Sequence, residues 1–281
     1  MSGQYDTLSK AADAAAARLG RAPVGVVLGS GLSECLDQLE RMRFMDYGEI
    51  PGMPETQVVG HRGALGYGRC GGVDVLALCG RIHMYEGRPH ADVAFPVRLL
   101  SLLGVHTLVV TSAVGSLDST LRPGSLMVVD DHINLSGQNV LAAEHDERLG
   151  PRSPDMTRAY DGDVSALLIE AGRMVGVKVE RGVLAHSLGP SYETPAESHR
   201  AAGLGARVLS MSMVPEVLVA RQRRMRVAGL GCVTSMAIDP AGTPHTRDRS
   251  LVGSAAYAGD VQSVLSGALS RLSTYPVPDA L

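Results

Sequence analysis

The feature that most constrains this 281-residue chain is a pairing that recurs along it: a short apolar run that empties directly into small or polar residues. Val24-Gly25-Val26-Val27-Leu28 runs into Gly29-Ser30-Gly31, Val73–Cys79 into Gly80, and Thr107–Thr111 into Ser112–Ser116. Leu126–Val129 likewise runs into Asp130–Asn134, and Val183–Ser187 into Gly189–Glu197. Strands that are apolar almost throughout are covered on both faces, as in a parallel sheet with helices on either side. Helical spacing of apolar residues separates these runs, at Leu8–Leu19 (ended by Gly20), Val93–Leu103 and Val164–Val175, and again in a closing helix marked by Val261, Val264, Leu265, Ala268, Leu269 and Leu272. Val208-Leu209 is a short strand and Val227–Val233 the last obvious one. With no internal repeat and no low-complexity linker, the alternation predicts one α/β domain over residues 1–281.

Composition narrows the function. A chain that is 45% hydrophobic can bury a full core, and a formal net charge of -3 gives no electrostatic reason to expect nucleic acid or an anionic membrane as partner. Any anion would be bound locally. Met1 leads into an amphipathic stretch without the basic and apolar regions of a leader, and no run has the length to span a bilayer, so a soluble, cytoplasmic protein is expected. The four cysteines, Cys35, Cys70, Cys79 and Cys232, form no C-x-x-C pair, which indicates neither a zinc site nor a redox motif.

Ligands of open α/β sheets bind beyond the carboxyl ends of the strands, and there this chain concentrates its polar chemistry. Gly80-Arg81-Ile82-His83-Met84-Tyr85-Glu86-Gly87 places an arginine, an imidazole, a phenol and a carboxylate between two glycines. Arg81 with its planar fork and His83 as a second donor suit an anion, although the octapeptide taken alone reads equally well as a polar connection. Gly29-Ser30-Gly31 lets backbone N–H groups approach an oxyanion, or is a plain tight turn. Residues 45–63 have a loop composition that would leave His61 mobile, and 136–160 read as a long loop lining a site or an interface. Thr194 or Glu193 leads a helix with Pro195 in its first turn.

Taken together, Gly29-Ser30-Gly31, His61, Gly80–Gly87, Asp131-His132-Ile133-Asn134, Gly189–Glu197 and Met211–Glu216 resemble the trimeric purine nucleoside phosphorylases, over the span Val24 to Ala237. The resemblance to the methylthioadenosine phosphorylases of the same superfamily is weaker. It implies a single α/β domain around a mixed sheet partly closed as a barrel, assembled as a homotrimer. It places Ser30, His61, Arg81, the backbone at Ala113, and Ser212 around inorganic phosphate, with His83 between phosphate and ribose, Tyr85 and Met211 along the ribose, and Tyr192 and Glu193 against the base. The activity implied is reversible phosphorolysis of an N-glycosidic bond, with His83, Glu193 and Ser235 as the catalytic set. Phosphate is a co-substrate and no metal or other cofactor is required. Glu86 is expected to brace Arg81 or His61 from behind.

Four positions depart from the family pattern. Ser235 stands where the family has asparagine, and aspartate in the methylthioadenosine enzymes. Ser153 aligns with an aromatic residue that covers the ribose across the trimer interface. Arg247, with His245 two residues away, takes the place of a histidine that contacts the 5′-hydroxyl, and Ser112 replaces a usual asparagine. These changes point to a nucleoside with a modified 5′ position or an unusual base. The alternatives are a phosphorylase for a 5′-modified 5′-deoxyadenosine, a nucleosidase using water, and a non-catalytic nucleoside-binding relative.

Overall fold

A computed structural model describes residues 3–32, 35–36, 39–58, 60–142, 144–239 and 245–272. The chain is organised by β1 (Val24–Leu28), which lies between two parallel neighbours, β4 (Val73–Cys79) and β5 (Thr107–Ser116). All five residues of β1 are buried, and their alternation divides the interior. Val27 joins a core packed by α1 (Gly3–Leu19), α2 (His90–Leu102) and α5 (Val214–Gln222). Val24, Val26 and Leu28 face a second core, packed by α3 (Gly162–Met174) and α7 (Ala258–Leu269). A strand buried on both faces is what the unbroken apolar run foretold.

The sheet has nine strands. Beyond β4 lie β3 (Ala64–Cys70) and the edge strand β2 (Glu40–Asp46), both antiparallel. On the other side of β1 the sheet curls into a ring of five: β5, β8 (Val208–Ser210), β7 (Val179–His186), β6 (Leu126–Asn134) and β9 (Arg226–Met236), with β9 pairing back onto β5 from Thr107↔Arg226 to Ser116↔Met236. This is the mixed, partly closed barrel expected. β2 and β3 were not apparent in the sequence. The first is a mostly exposed Glu-Arg-Met-Arg-Phe-Met-Asp and the second is interrupted by Gly66 and Gly68, so neither shows a clean apolar alternation.

Three further differences bear on the site. β5 continues through Ser112–Ser116, and β6 through Asp130–Asn134, because β9 and β7 go on supplying backbone partners there. The polar tails of these strands are therefore rigid sheet. β9 extends to Met236 and places Ser235 opposite Gly115. The C-terminal helical region is two helices, since α6 (Arg247–Ala256) precedes α7 and turns at Tyr257.

Candidate functional site

The carboxyl ends of β1, β4, β5 and β9, with the segment after β8 and the start of α6, surround one pocket. Ser30, Arg81, His83, Tyr85, Ala113, Tyr192, Glu193, Met211, Ser212, Ser235, His245 and Arg247, named from the sequence as site residues, all line it. His61 does not line it and stands behind Ser30.

At one end the groups are donors. Arg81 is buried, with 3% of its surface exposed; both terminal nitrogens of its guanidinium are hydrogen-bonded and its Nε faces a carboxylate. Its Nη1 donates to Ser212 Oγ at 2.8 Å, Nη2 to the Thr111 carbonyl at 2.5 Å, and Nε lies 2.9 Å from Glu216 Oε1. Glu216 is itself 5% exposed, so the two charges form a buried ion pair that balances near the pocket floor. Ser112 Oγ lies 2.7 Å from Ser212 Oγ and 2.8 Å from Ser210 Oγ, which makes a cluster of hydroxyls beside the guanidinium. The glycine turn after β1 is pinned to β5: the Gly29 N–H donates to Thr111 Oγ1 at 3.0 Å, and that hydroxyl donates to the Val27 carbonyl at 3.0 Å. The backbone that carries Ser212 is strained, since Met213 holds φ 75 and ψ −53 as it turns into α5. Such conformations cost about 1–3 kcal/mol and persist where the surrounding structure enforces them, often at functional sites.

His61 proves fixed. Its Nδ1 lies 3.1 Å from both the backbone nitrogen and the carbonyl oxygen of Arg81, and its Nε2 lies 2.9 Å from Ser30 Oγ, so the ring is tied to Arg81 on one side and fixes the serine hydroxyl on the other. Burial, followed by the nearby His83 and Arg81, lowers its pKa to about 3, and the ring is neutral at physiological pH. Gly80 is needed for this contact: its φ is +118, and a Cβ there would fall 2.7 Å from the His61 Cβ. The buried Tyr47 hydroxyl donates to the Gly80 carbonyl at 2.8 Å and fixes the turn.

His83, Tyr85 and Met211 form the middle of the pocket. The His83 ring stacks between His61 and Tyr85, at centroid distances of 5.4 and 4.7 Å. Glu86 differs from expectation. It supports His83, not Arg81 or His61, because its carboxylate accepts from the backbone N–H of His83 at 2.6 Å and of Gln57 at 3.0 Å. Arg81 is braced by Glu216, which sits early in a helix apolar on every side. That setting is the signal that could have revealed it, since a buried carboxylate requires a partner.

At the far end Glu193 accepts a short hydrogen bond from the Ser187 hydroxyl, and Tyr192 lies against His245 with ring centroids 5.7 Å apart. Thr194 caps α4 (Pro195–Gly203) with a reciprocal capping box to Glu197. Glu193 is thereby held just before a helix start. Arg247 is the first residue of α6 and lines the pocket together with Tyr85. Two expected elements lie apart from the pocket: His132 pairs with the Tyr160 hydroxyl at 3.1 Å, and Ser153 is exposed. Among the described residues no group of three or more His, Cys, Asp or Glu is placed to hold a metal ion.

Residues 23–270 match the phosphorylase superfamily. A purine nucleoside phosphorylase 1 of Geobacillus stearothermophilus is 41% identical over 225 residues, 80% of this chain and 82% of that protein. Two solved structures from Schistosoma mansoni are similar throughout, each 32% identical and covering 95% of this chain. Isoform 2 of purine nucleoside phosphorylase with cytosine and ribose-1-phosphate has a TM-score of 0.90 and is covered over 97% of its length. The purine nucleoside phosphorylase with inosine has a TM-score of 0.89 and is covered over 96%. This chain belongs to the phosphorylase superfamily and, within it, to the purine nucleoside phosphorylase family.

Proposed function

We propose that this protein is a purine nucleoside phosphorylase, which cleaves the N-glycosidic bond of a purine nucleoside with inorganic phosphate and yields free base and a pentose 1-phosphate. The observation that carries the reading is the polarity of the pocket: hydroxyls, a backbone amide and a buried guanidinium at one end, an anchored carboxylate at the other, and the aromatic and thioether side chains of Tyr85 and Met211 between them. The named activity of relatives that cover most of the chain supports it.

Ser30, Arg81, Ser212 and the Ala113 N–H bind phosphate, with His61 positioning the Ser30 hydroxyl. A phosphate oxygen attacks the anomeric carbon as the bond to the base nitrogen breaks, and the bonding electrons leave on the purine. The phosphate charge offsets the oxocarbenium-like sugar, so neither a covalent intermediate nor a metal or cofactor is needed. Glu193 accepts from the base, and Ser235 donates toward its imidazole ring directly or through a water. We assign the protein to the cytoplasm and to a homotrimer in which the loop bearing Ser153 faces a neighbour. The test is a base-release screen over purine nucleosides with and without phosphate. Release only with phosphate is expected, and release at the same rate without it would establish a nucleosidase instead.

A further inference from the structure

Three serine hydroxyls meet on the pocket wall beside Arg81: Ser112 from β5, Ser210 from the end of β8, and Ser212 from the turn that enters α5. They are 1%, 7% and 6% exposed. Ser112 Oγ lies 2.7 Å from Ser212 Oγ and 2.8 Å from Ser210 Oγ, and the third side, from Ser210 to Ser212, is 3.2 Å. The proposed reaction uses only Ser212. Two more hydroxyls buried at the same spot cost free energy unless each is paired, so their pairing shows what they do.

A hydroxyl has one proton to give and two lone pairs. Arg81 Nη1 donates to Ser212 Oγ at 2.8 Å, and the Ser212 N–H donates to Ser210 Oγ at 3.2 Å, which also ties down the backbone next to the strained Met213. Among the described residues, the side chains of the triangle reach one further acceptor, the Ala113 carbonyl, 2.9 Å from Ser112 Oγ and 3.4 Å from Ser210 Oγ. Two orders of the three protons satisfy these distances. In the first, Ser212 donates to Ser112, while Ser112 and Ser210 donate to the Ala113 carbonyl. In the second, Ser210 donates to Ser112 and Ser112 to Ser212. Both lone pairs of Ser212 Oγ are then filled, by Arg81 and Ser112, and its proton is left for a ligand. An acceptor such as a phosphate oxygen favours the second order, and no buried hydroxyl loses its partner in the exchange.

We infer that Ser112 and Ser210 are positioning residues for the phosphate co-substrate, which hold Ser212 Oγ in place and turn its proton toward the anion. The inference rests on the proposed phosphorylase reading and deepens it. It gives Ser112, one of the four departures from the family pattern, a task at the phosphate and not at the nucleoside. The experiment follows inosine phosphorolysis over titrations of phosphate and of inosine by the full chain, by Ser112→Ala, Ser210→Ala and Ser212→Ala, and by the double variant Ser112→Ala/Ser212→Ala, with a thermal melt of each. In Ser112→Ala and Ser210→Ala the phosphate KM should rise about three- to tenfold, and the inosine KM at saturating phosphate should change much less. Adding Ser112→Ala to Ser212→Ala should raise the phosphate KM little further, because the oxygen it acts on is gone. An unchanged phosphate KM in both single variants, an equal rise in the inosine KM, or a full additional rise in the double variant overturns the inference and leaves the phosphorylase reading intact. Should one single variant not fold, the other carries the comparison of KM values, and failure of both to fold would assign the pair to the core and overturn the inference. Hypoxanthine release by the wild type at a rate indifferent to phosphate overturns the phosphorylase reading itself.

Discussion

Replacing Glu216 with glutamine tests the pocket floor, because it keeps the shape of the side chain and removes only its charge. Arg81 and Glu216 are 3% and 5% exposed and lie 2.9 Å apart. Without the carboxylate, the guanidinium keeps the Ser212 hydroxyl and the Thr111 carbonyl, both neutral, as partners. An uncompensated buried charge of this kind costs about 3–5 kcal/mol. At roughly 2 °C per kcal/mol for a domain of this size, the melting temperature of Glu216→Gln should fall by about 6–10 °C without phosphate. Bound phosphate would resupply the missing negative charge. The rise in melting temperature between no phosphate and saturating phosphate should therefore be larger in the variant than in the wild type, as linkage requires when a ligand binds the folded state more tightly. Thermal melts over a phosphate titration read both effects. A loss of under about 2 °C, or a smaller phosphate-induced rise in the variant, would refute the pairing as the balance of the phosphate site.

Other expectations follow from single contacts. Ser30→Ala removes the hydroxyl that His61 orients and should raise the KM for phosphate about tenfold with little change in melting temperature; an unchanged phosphate KM in steady-state assays would remove Ser30 from the site. Ser235→Asn, which lengthens the donor opposite the base, should raise kcat on inosine, and equal or lower kcat would count against the role given to that position. His61 and His186 have folded pKa values lowered to about 3 and about 4, chiefly by burial, from an ordinary 6.5. Between those values the unfolded chain binds more protons, so stability should be full above about pH 6.5 and fall as pH drops toward 4, by at most ~1.4 kcal/mol per unit for each histidine. Denaturant melts of His61→Asn should show a shallower fall, and an identical slope would contradict the buried neutral ring.

Much of this was legible because strand ends and site residues coincide in the sequence. The run Val24–Leu28 emptying into Gly29-Ser30-Gly31 gave both the central strand and the turn that brings Ser30 to the pocket, since a doubly buried strand has no polar residue until it leaves the sheet. Glu193 was legible because Pro195 marks a helix start at Thr194 or Glu193 and the motif Gly189–Glu197 carries the family resemblance; the structure makes Thr194 the cap. What escaped was set by tertiary pairing. β2 and β3 have exposed or glycine-broken sequences that show no period, and the pairing of β3 with β4 and of β2 with β3 is what makes them strands. Glu86 and Glu216 illustrate the same limit inside the site. Each carboxylate was visible, yet only the path of the chain decides that Glu86 ties His83 to the loop at Gln57 while Glu216 reaches Arg81 from 135 positions further along the sequence. His61 looked like a mobile loop histidine because its three partners, Ser30, Thr56 and Arg81, include two from distant segments.

The most direct measurement is the stoichiometry of inosine cleavage with and without inorganic phosphate, following hypoxanthine by absorbance and phosphorus species by NMR. The expected result is no cleavage without phosphate and, with it, one ribose 1-phosphate formed for each hypoxanthine released. Free ribose in place of the phosphate ester, at a rate indifferent to phosphate, would contradict the assignment of Ser30, Arg81 and Ser212 to a phosphate nucleophile.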